Sequence, residues 1–164
     1  MISPKFFVEC LKNNSIDFFA GIPDSLLKHF CAYLKDTVPV QNNVIAANEG
    51  GAMGLAVGYY LATGRIPLVY MQNSGLGNVI NPLLSLVDKE VYNIPMVLLI
   101  GWRGEPGVKD EPQHIKQGKV TLSLLDTMGI KYIVLSPNEA EVKTQLDSGL
   151  TYAKQANEPF AFIV

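Results

Sequence analysis

A chain of 164 residues fits one domain with a core of its own, and no second domain is expected at that size. Its composition, 48% hydrophobic against 17% charged, is rich in apolar residues, so part of the surface is expected to be buried against another domain or in a homo-oligomer. A net charge of −2 with no basic cluster argues against nucleic acid; Lys5, Glu9, Lys12 and Asp17 argue against a signal peptide, and the longest apolar run, residues 94–100, is too short for a bilayer. The expectation is a cytoplasmic protein without membrane contact, in which Cys10 and Cys31 are free thiols within helices.

Ser3-Pro4 reads as an N-cap with proline at the first helical position, and Phe6, Phe7, Cys10 and Leu11 form a helical stripe that runs to about Asn13. Residues 17–20 form a short strand that ends at Gly21-Ile22-Pro23-Asp24-Ser25, after which Leu26, Leu27, Phe30 and Leu34 resume helical spacing. Asp24 and Ser25 therefore either cap that helix or contact a ligand at the carboxyl end of a parallel strand.

Residues 44–47 are a short apolar run, Asn48 is a favoured N-cap, and Glu49 falls in the first turn, where the helix dipole favours an anion. No charge follows until Arg65, which predicts a helix buried all round. Glycines 50, 51, 54 and 58 each cost about 1 kcal/mol against alanine and need a packing reason. Gly54 and Gly58, one turn apart, would admit another backbone or a flat ligand. Glu49 reads either as an ordinary first-turn acid or as a poorly solvated carboxylate with a task.

Residues 66–71 are a buried strand running into Gln72-Asn73-Ser74-Gly75-Leu76-Gly77-Asn78, and a helix is expected from there to about Tyr92. A dinucleotide fingerprint would place its third glycine at Ile80, so a Rossmann nicotinamide site is rejected. A polar loop at a strand end remains, with amides and hydroxyls free to face a ligand. Ile94-Pro95 leads a third strand, residues 96–100, closed by Gly101. Residues 102–119 lack periodicity and read as a long loop, and residues 103–116 are expected to be mobile until a ligand or partner domain orders them. Its Arg103, Lys109, His114, Lys116 and Lys119, set against Glu105, Asp110 and Glu111, are either simply solvated or converge on an acidic small molecule. A helix over 120–128, a strand over 131–135, a helix from the Asn138 cap to about Ala156 and a strand over 160–164 complete the chain. The alternation predicts an α/β fold, a doubly wound, mainly parallel sheet of about six strands with helices on both faces. The chain stops inside an apolar strand, as a longer polypeptide would if cut, or a tightly paired subunit at its edge.

Three stretches together resemble the pyrimidine-binding domain of thiamine-diphosphate enzymes: Gly21-Ile22-Pro23-Asp24-Ser25, the Asn48-Glu49-Gly50 helix start, and residues 71–78. Asp110-Glu111-Pro112-Gln113-His114, following Ile94-Pro95 and Gly101, is similar to the decarboxylase branch that acts on phosphonopyruvate or sulfopyruvate. The resemblance covers essentially the whole chain. It implies that Glu49 hydrogen-bonds a ring nitrogen of the aminopyrimidine and relays a proton, so that the cofactor can attack the ketone of a 2-oxo acid. It implies that Gln72, Asn73, Ser74, Gly75 and Asn78 line the cofactor, that Asp24, Ser25 and His114 line the substrate, and that His114 shares in catalysis. Charge alone adds Arg103 or Lys109 as the contact for a phosphonate or sulfonate tail. The family's diphosphate domain, which holds magnesium through Gly-Asp-Gly and a later Asn, has no counterpart in these residues, so thiamine diphosphate and Mg²⁺ imply a partner domain or subunit. A non-catalytic α/β binding module, in which Glu49 merely caps a helix, is the competing reading.

Overall fold

The computed structural model describes residues 2–164. Six strands, β1 (Phe19–Gly21), β2 (Asn43–Ile45), β3 (Leu68–Gln72), β4 (Val97–Gly101), β5 (Lys131–Val134) and β6 (Phe160–Ile163), form one sheet in the order β2-β1-β3-β4-β6-β5. Every pairing is parallel. Helix α1 (Pro4–Asn13) precedes β1, and α2 (Lys28–Thr37), α3 (Glu49–Thr63), α4 (Leu76–Pro82), α5 (Pro112–Thr127) and α6 (Glu139–Tyr152) fill the connections.

The period-two geometry of a strand divides the core into two layers. Val69, Met71, Leu98, Ile100, Ala161 and Ile163 meet α3, α4 and α5 on one face. Leu68, Tyr70, Val97, Leu99, Phe160 and Phe162 meet α1, α2 and α6 on the other. Central strands buried on both sides explain the unbroken apolar runs of the sequence. The chain leaves β1 in one direction to make β2 and returns on the other side to make β3, so strand order reverses between β1 and β3. Parallel pairing brings all carboxyl ends to one edge, and such a reversal opens a crevice there.

Four expectations need correction. The helix after β3 does not reach Tyr92; α4 continues as a wider, π-type turn over Leu83–Val87 and stops at Asp88, whose Oδ1 accepts from the Glu90 amide in a turn. Helix α5 begins at Pro112, eight residues before the expected start, so only the first half of residues 102–119 is irregular. That irregular half is held down rather than free: Trp102 Nε1 donates to the Gly118 carbonyl at 2.8 Å, and the Asn73 amide donates to the Arg103 carbonyl at 2.8 Å. Gly104 adopts φ +71°, and a Cβ at Gly118 would lie 1.7 Å from the Gly104 carbonyl oxygen, so turn and helix touch backbone to backbone. Lastly, α3 is not enclosed by this chain. Ala52, Met53, Ala56 and Val57 are buried, but Leu61 is 60% exposed, and a Cβ at Gly54 or Gly58 would meet nothing within 4 Å.

The two kinds of glycine make opposite predictions. Gly118→Ala forces the turn and α5 apart and is expected to cost about 2–3 kcal/mol, whereas Gly58→Ala adds helix propensity on an open face and is expected to gain up to about 1 kcal/mol. Urea unfolding of the two variants beside the parent chain measures both, and effects of the same sign would refute this reading of the contacts.

Candidate active site

Two groups of polar side chains occupy the carboxyl edge of the sheet. The first is built on the start of α3. Asn48 Oδ1 accepts from the Gly51 amide at 2.8 Å, so the capping role belongs to Asn48 and leaves the carboxylate beside it free. Glu49 Oε2 accepts instead from Asn78 Nδ2 on α4 at 2.7 Å. Its stem lies across Gly75, where an added Cβ would come within 2.6 Å of Glu49 Cγ. Gly50 is close-packed in turn, since a Cβ there would approach the Asn78 carbonyl to 3.1 Å. Glu49 is thus a half-buried carboxylate, fixed by one amide and a glycine floor at the positive end of a 15-residue helix.

The second group gathers residues from β1, β3, β4 and α5. Asp24 Oδ1 accepts from the Leu26 amide at 2.9 Å, which closes a local turn; α2 itself starts after Leu27 without a side-chain cap, so Asp24 and Ser25 do not cap it. Asp24 Oδ2 accepts from Gln72 Nε2 at 3.1 Å, and Gln72 Oε1 accepts from Ser74 Oγ at 2.6 Å. The missing side chain of Gly101 lets Asp24 lie over the end of β4, since a Cβ there would fall 2.7 Å from Asp24 Oδ1. Arg103 Nη1 donates to Ser25 Oγ at 2.6 Å, while its Nε and Nη2 fork onto Asp110. Asp110 also accepts from the amides of Gly104 and Glu111, each at 2.7 Å, and His114 Nδ1 lies 3.0 Å from its Oδ1. Hydrogen bonds from Arg103 first and from His114 second hold the Asp110 carboxyl well below the usual carboxylate range.

The structure thus brings Asp24, Gln72 and Ser74 into one chain of hydrogen bonds and Ser25, Arg103, Asp110 and His114 into a second, the two meeting where Asp24 precedes Ser25, while Glu49, Gly75 and Asn78 form a third group. Asn73 stands apart. It is 2% exposed, and its amide is committed to the Arg103 carbonyl and to Thr121 Oγ1, so it supports the site from beneath. Lys109 is exposed and joins none of the ion pairs among the described residues. Asp110, which the sequence offered as a loop acid and as part of the resemblance but with no role in the site, and Thr121, which it did not single out, hold the Arg103 segment in place. Pro112, the kind of residue that opens a helix, was the available signal that Asp110 and His114 would face each other across a first turn. No cluster of three potential metal-ligating side chains occurs among the described residues, and no helix among them is long and apolar enough to cross a membrane.

The chain belongs to the family of thiamine pyrophosphate enzymes, N-terminal TPP binding domain, whose model matches residues 4–124. A phosphonopyruvate decarboxylase from Streptomyces viridochromogenes is 31% identical over all of this chain but only 40% of its own length. A sulfopyruvate decarboxylase subunit alpha from Methanococcus maripaludis is 38% identical over 80% of this chain and 77% of its own length. The chain therefore spans well under half the length of the phosphonopyruvate decarboxylases it matches. A solved chain assigned to the thiamin diphosphate-dependent enzymes, from Mycobacterium smegmatis, superposes with a TM-score of 0.68 at 18% identity, over 99% of this chain and 30% of that one, which establishes the shared fold.

The depressed Asp110 carboxyl has a consequence for stability. Its folded pKa lies below the unfolded value of about 3.9, so the clamp contributes fully above that value and loses its contribution as pH falls through and below it. Asp110→Asn should be less stable than the parent at pH 7, with the difference shrinking below about pH 4. Urea midpoints measured across that range check the sign, and a difference that grows on acidification would refute it.

Proposed function

We propose that this chain supplies the aminopyrimidine-binding half of a thiamine-diphosphate-dependent decarboxylase acting on a small 2-oxo acid with an anionic tail. Phosphonopyruvate, giving phosphonoacetaldehyde and carbon dioxide in phosphonate biosynthesis, is the leading substrate. Sulfopyruvate is the alternative, and relatives of both kinds match. The observation that carries the reading is the uncommitted Glu49 carboxylate, braced by Asn78 over Gly75 at a helix mouth. An acid that merely capped α3 would be redundant beside Asn48.

The residues present fit the cofactor's aminopyrimidine. Glu49 offers one carboxylate oxygen besides the one bonded to Asn78, and the absent side chains of Gly50 and Gly75 leave the floor close and flat. When bound, thiamine diphosphate supplies the nucleophilic carbon and the sink for the electrons released with carbon dioxide. Glu49 holds the proton shared with a ring nitrogen and passes it back and forth; Asn78 keeps the carboxylate aimed. Ser74, at the exposed start of the loop, and Gln72 line the cofactor side. Asp24 and Ser25 line the substrate side, and His114 beside them exchanges a proton with the substrate. Arg103 already has an acid, so its charge toward an anionic tail is largely compensated, and Lys109, exposed and in no ion pair among the described residues, is the cation left to meet it. Diphosphate and Mg²⁺ belong to a second domain or subunit, seated where α3 leaves Gly54, Leu55, Gly58 and Leu61 uncovered. The assembly is expected to be cytoplasmic and oligomeric.

Glu49→Gln retains size and the Asn78 contact but removes the ionisable proton. In the complete enzyme it should lower turnover of phosphonopyruvate by about 10² or more with folding intact. Near-normal turnover would sink the assignment.

The second expectation concerns the chain without its diphosphate-binding partner. Pyrimidine contacts alone leave most of the cofactor's anchoring unmade, so calorimetric titration with thiamine diphosphate and Mg²⁺ should show no binding tighter than about millimolar. Light scattering should show self-association through the open face of α3. Micromolar binding by a monomer would overturn the need for a partner.

A further inference from the structure

We propose that Asp110 is a positioning residue that fixes the tautomer of His114, holding the proton on Nδ1 and presenting Nε2 as the reactive nitrogen toward the substrate. The Nε2 role rests on the decarboxylase reading above; the tautomer does not.

The argument is a count of donors. An ionised carboxylate accepts about four hydrogen bonds and donates none. Arg103 Nε, Arg103 Nη2, the Gly104 amide and the Glu111 amide are all obligate donors, and all four point at Asp110. A carboxyl so surrounded has no site at which to carry a proton. Ionised, it can only accept, so His114 Nδ1, 3.0 Å from an Oδ1 that already takes Arg103 Nη2 and the Glu111 amide, shares that oxygen as a longer N–H donor, since a lone pair turned on it would be repelled. A neutral His114 must therefore carry its lone pair on Nε2, for which no protein partner is recorded among the described residues.

The surroundings keep this arrangement rigid. Asp110 and His114 are four residues apart across the first turn of α5, and their side chains are 13% and 15% exposed. The bidentate Arg103 fork sets the plane of the carboxylate. The helix cannot slide, because Gly118 rests on the Gly104 carbonyl and Gly104 itself packs against the His114 carbonyl. Arg103 is anchored at its far end by Ser25 and through its backbone by buried Asn73. His114 thus carries a preset imidazole at the edge where Asp24 and Ser25 also lie, and Asp110 acts on the substrate only through it.

The test reads the tautomer directly. Long-range 1H–15N spectra of the full chain with 15N-labelled histidine, recorded at about pH 9 where free imidazole is neutral, separate the two tautomers, and the only other histidine is His29. His114→Gln assigns the signals. The expected result is a single Nδ1–H form for His114. Asp110→Asn offers an amide in place of one oxygen, so its N–H₂ should meet Nδ1 and turn His114 to the Nε2–H form. In the complete enzyme the same variant should lower kcat on phosphonopyruvate or sulfopyruvate by about 10²-fold, as a wrong tautomer does in a general base, with cofactor affinity within about twofold. A parent protein with His114 in the Nε2–H form overturns the proposal whether or not the variant folds, as does an Asp110→Asn protein with an unchanged tautomer. A parent enzyme inactive on both acids but with Nδ1–H at His114 overturns the reaction, and its tautomer still supports the positioning.

Discussion

One carboxylate organises the segment on which the carboxyl edge depends. Beyond Trp102, which packs against the core, residues 103–111 contain no stripe of apolar side chains that could bind them to it, and loops of that kind commonly stay open. Asp110 substitutes for a core: it draws in a guanidinium, two backbone amides and an imidazole, and so ties β4, the Gly104 turn and the start of α5 together. Charge-assisted hydrogen bonds are short and directional, which a hydrophobic contact is not, so the segment gains a defined shape along with its attachment. Buried Asn73 and Thr121 continue the same logic inward by satisfying the Arg103 backbone.

The parallel sheet explains why these groups meet. With every strand running the same way, the residues that follow β1, β2, β3 and β4 emerge on one edge, and the reversal of order between β1 and β3 separates the helices there. Glycine decides how closely the side chains approach. Gly101 and Gly75 lack the atoms that would otherwise lift Asp24 and Glu49 off the strand ends and the loop. Each acid is consequently held by a shape as well as by a hydrogen bond, Asp24 from Gln72 and Glu49 from Asn78.

Much of this was legible in the chain. Apolar runs bounded by glycine and proline located β3, β4 and β6, and the caps at Ser3, Asn48 and Asn138 were read where their side chains accept from the backbone. Glu49 stood out because a charge preceded a long apolar stretch. The errors share one cause: periodicity reports hydrophobic burial and nothing else. Helix α5 buries Gly118, Thr121 and Leu125, two of which carry no apolar signal, and its first turn faces Asp110, so its opening read as loop. The π-type turn after Pro82 ended α4 where the pattern still looked helical. That Arg103 and Asp110 would pair with each other was not legible, because a spacing of seven residues has no fixed meaning outside a regular element.

Helix α3 was read as buried all round, and this chain buries only one side of it. One side packs its alanines, Met53 and Val57 on the sheet; the other presents glycines with Leu55 and Leu61 to solvent. A sequence selected only to stay folded alone would gain by replacing Gly54 and Gly58 with alanine, since nothing stands within 4 Å of either position. Retaining them makes physical sense where another backbone must come close. The helix mouth carries Glu49, so a neighbour seated on that open side would also remove water from the carboxylate, which this chain alone leaves half exposed. Desolvation raises the proton affinity of an acid and strengthens its hydrogen bond to a ring nitrogen. Covering the helix and tuning the acid would then be one event, and in the decarboxylase proposed above Glu49 would reach its working state only in the assembled protein.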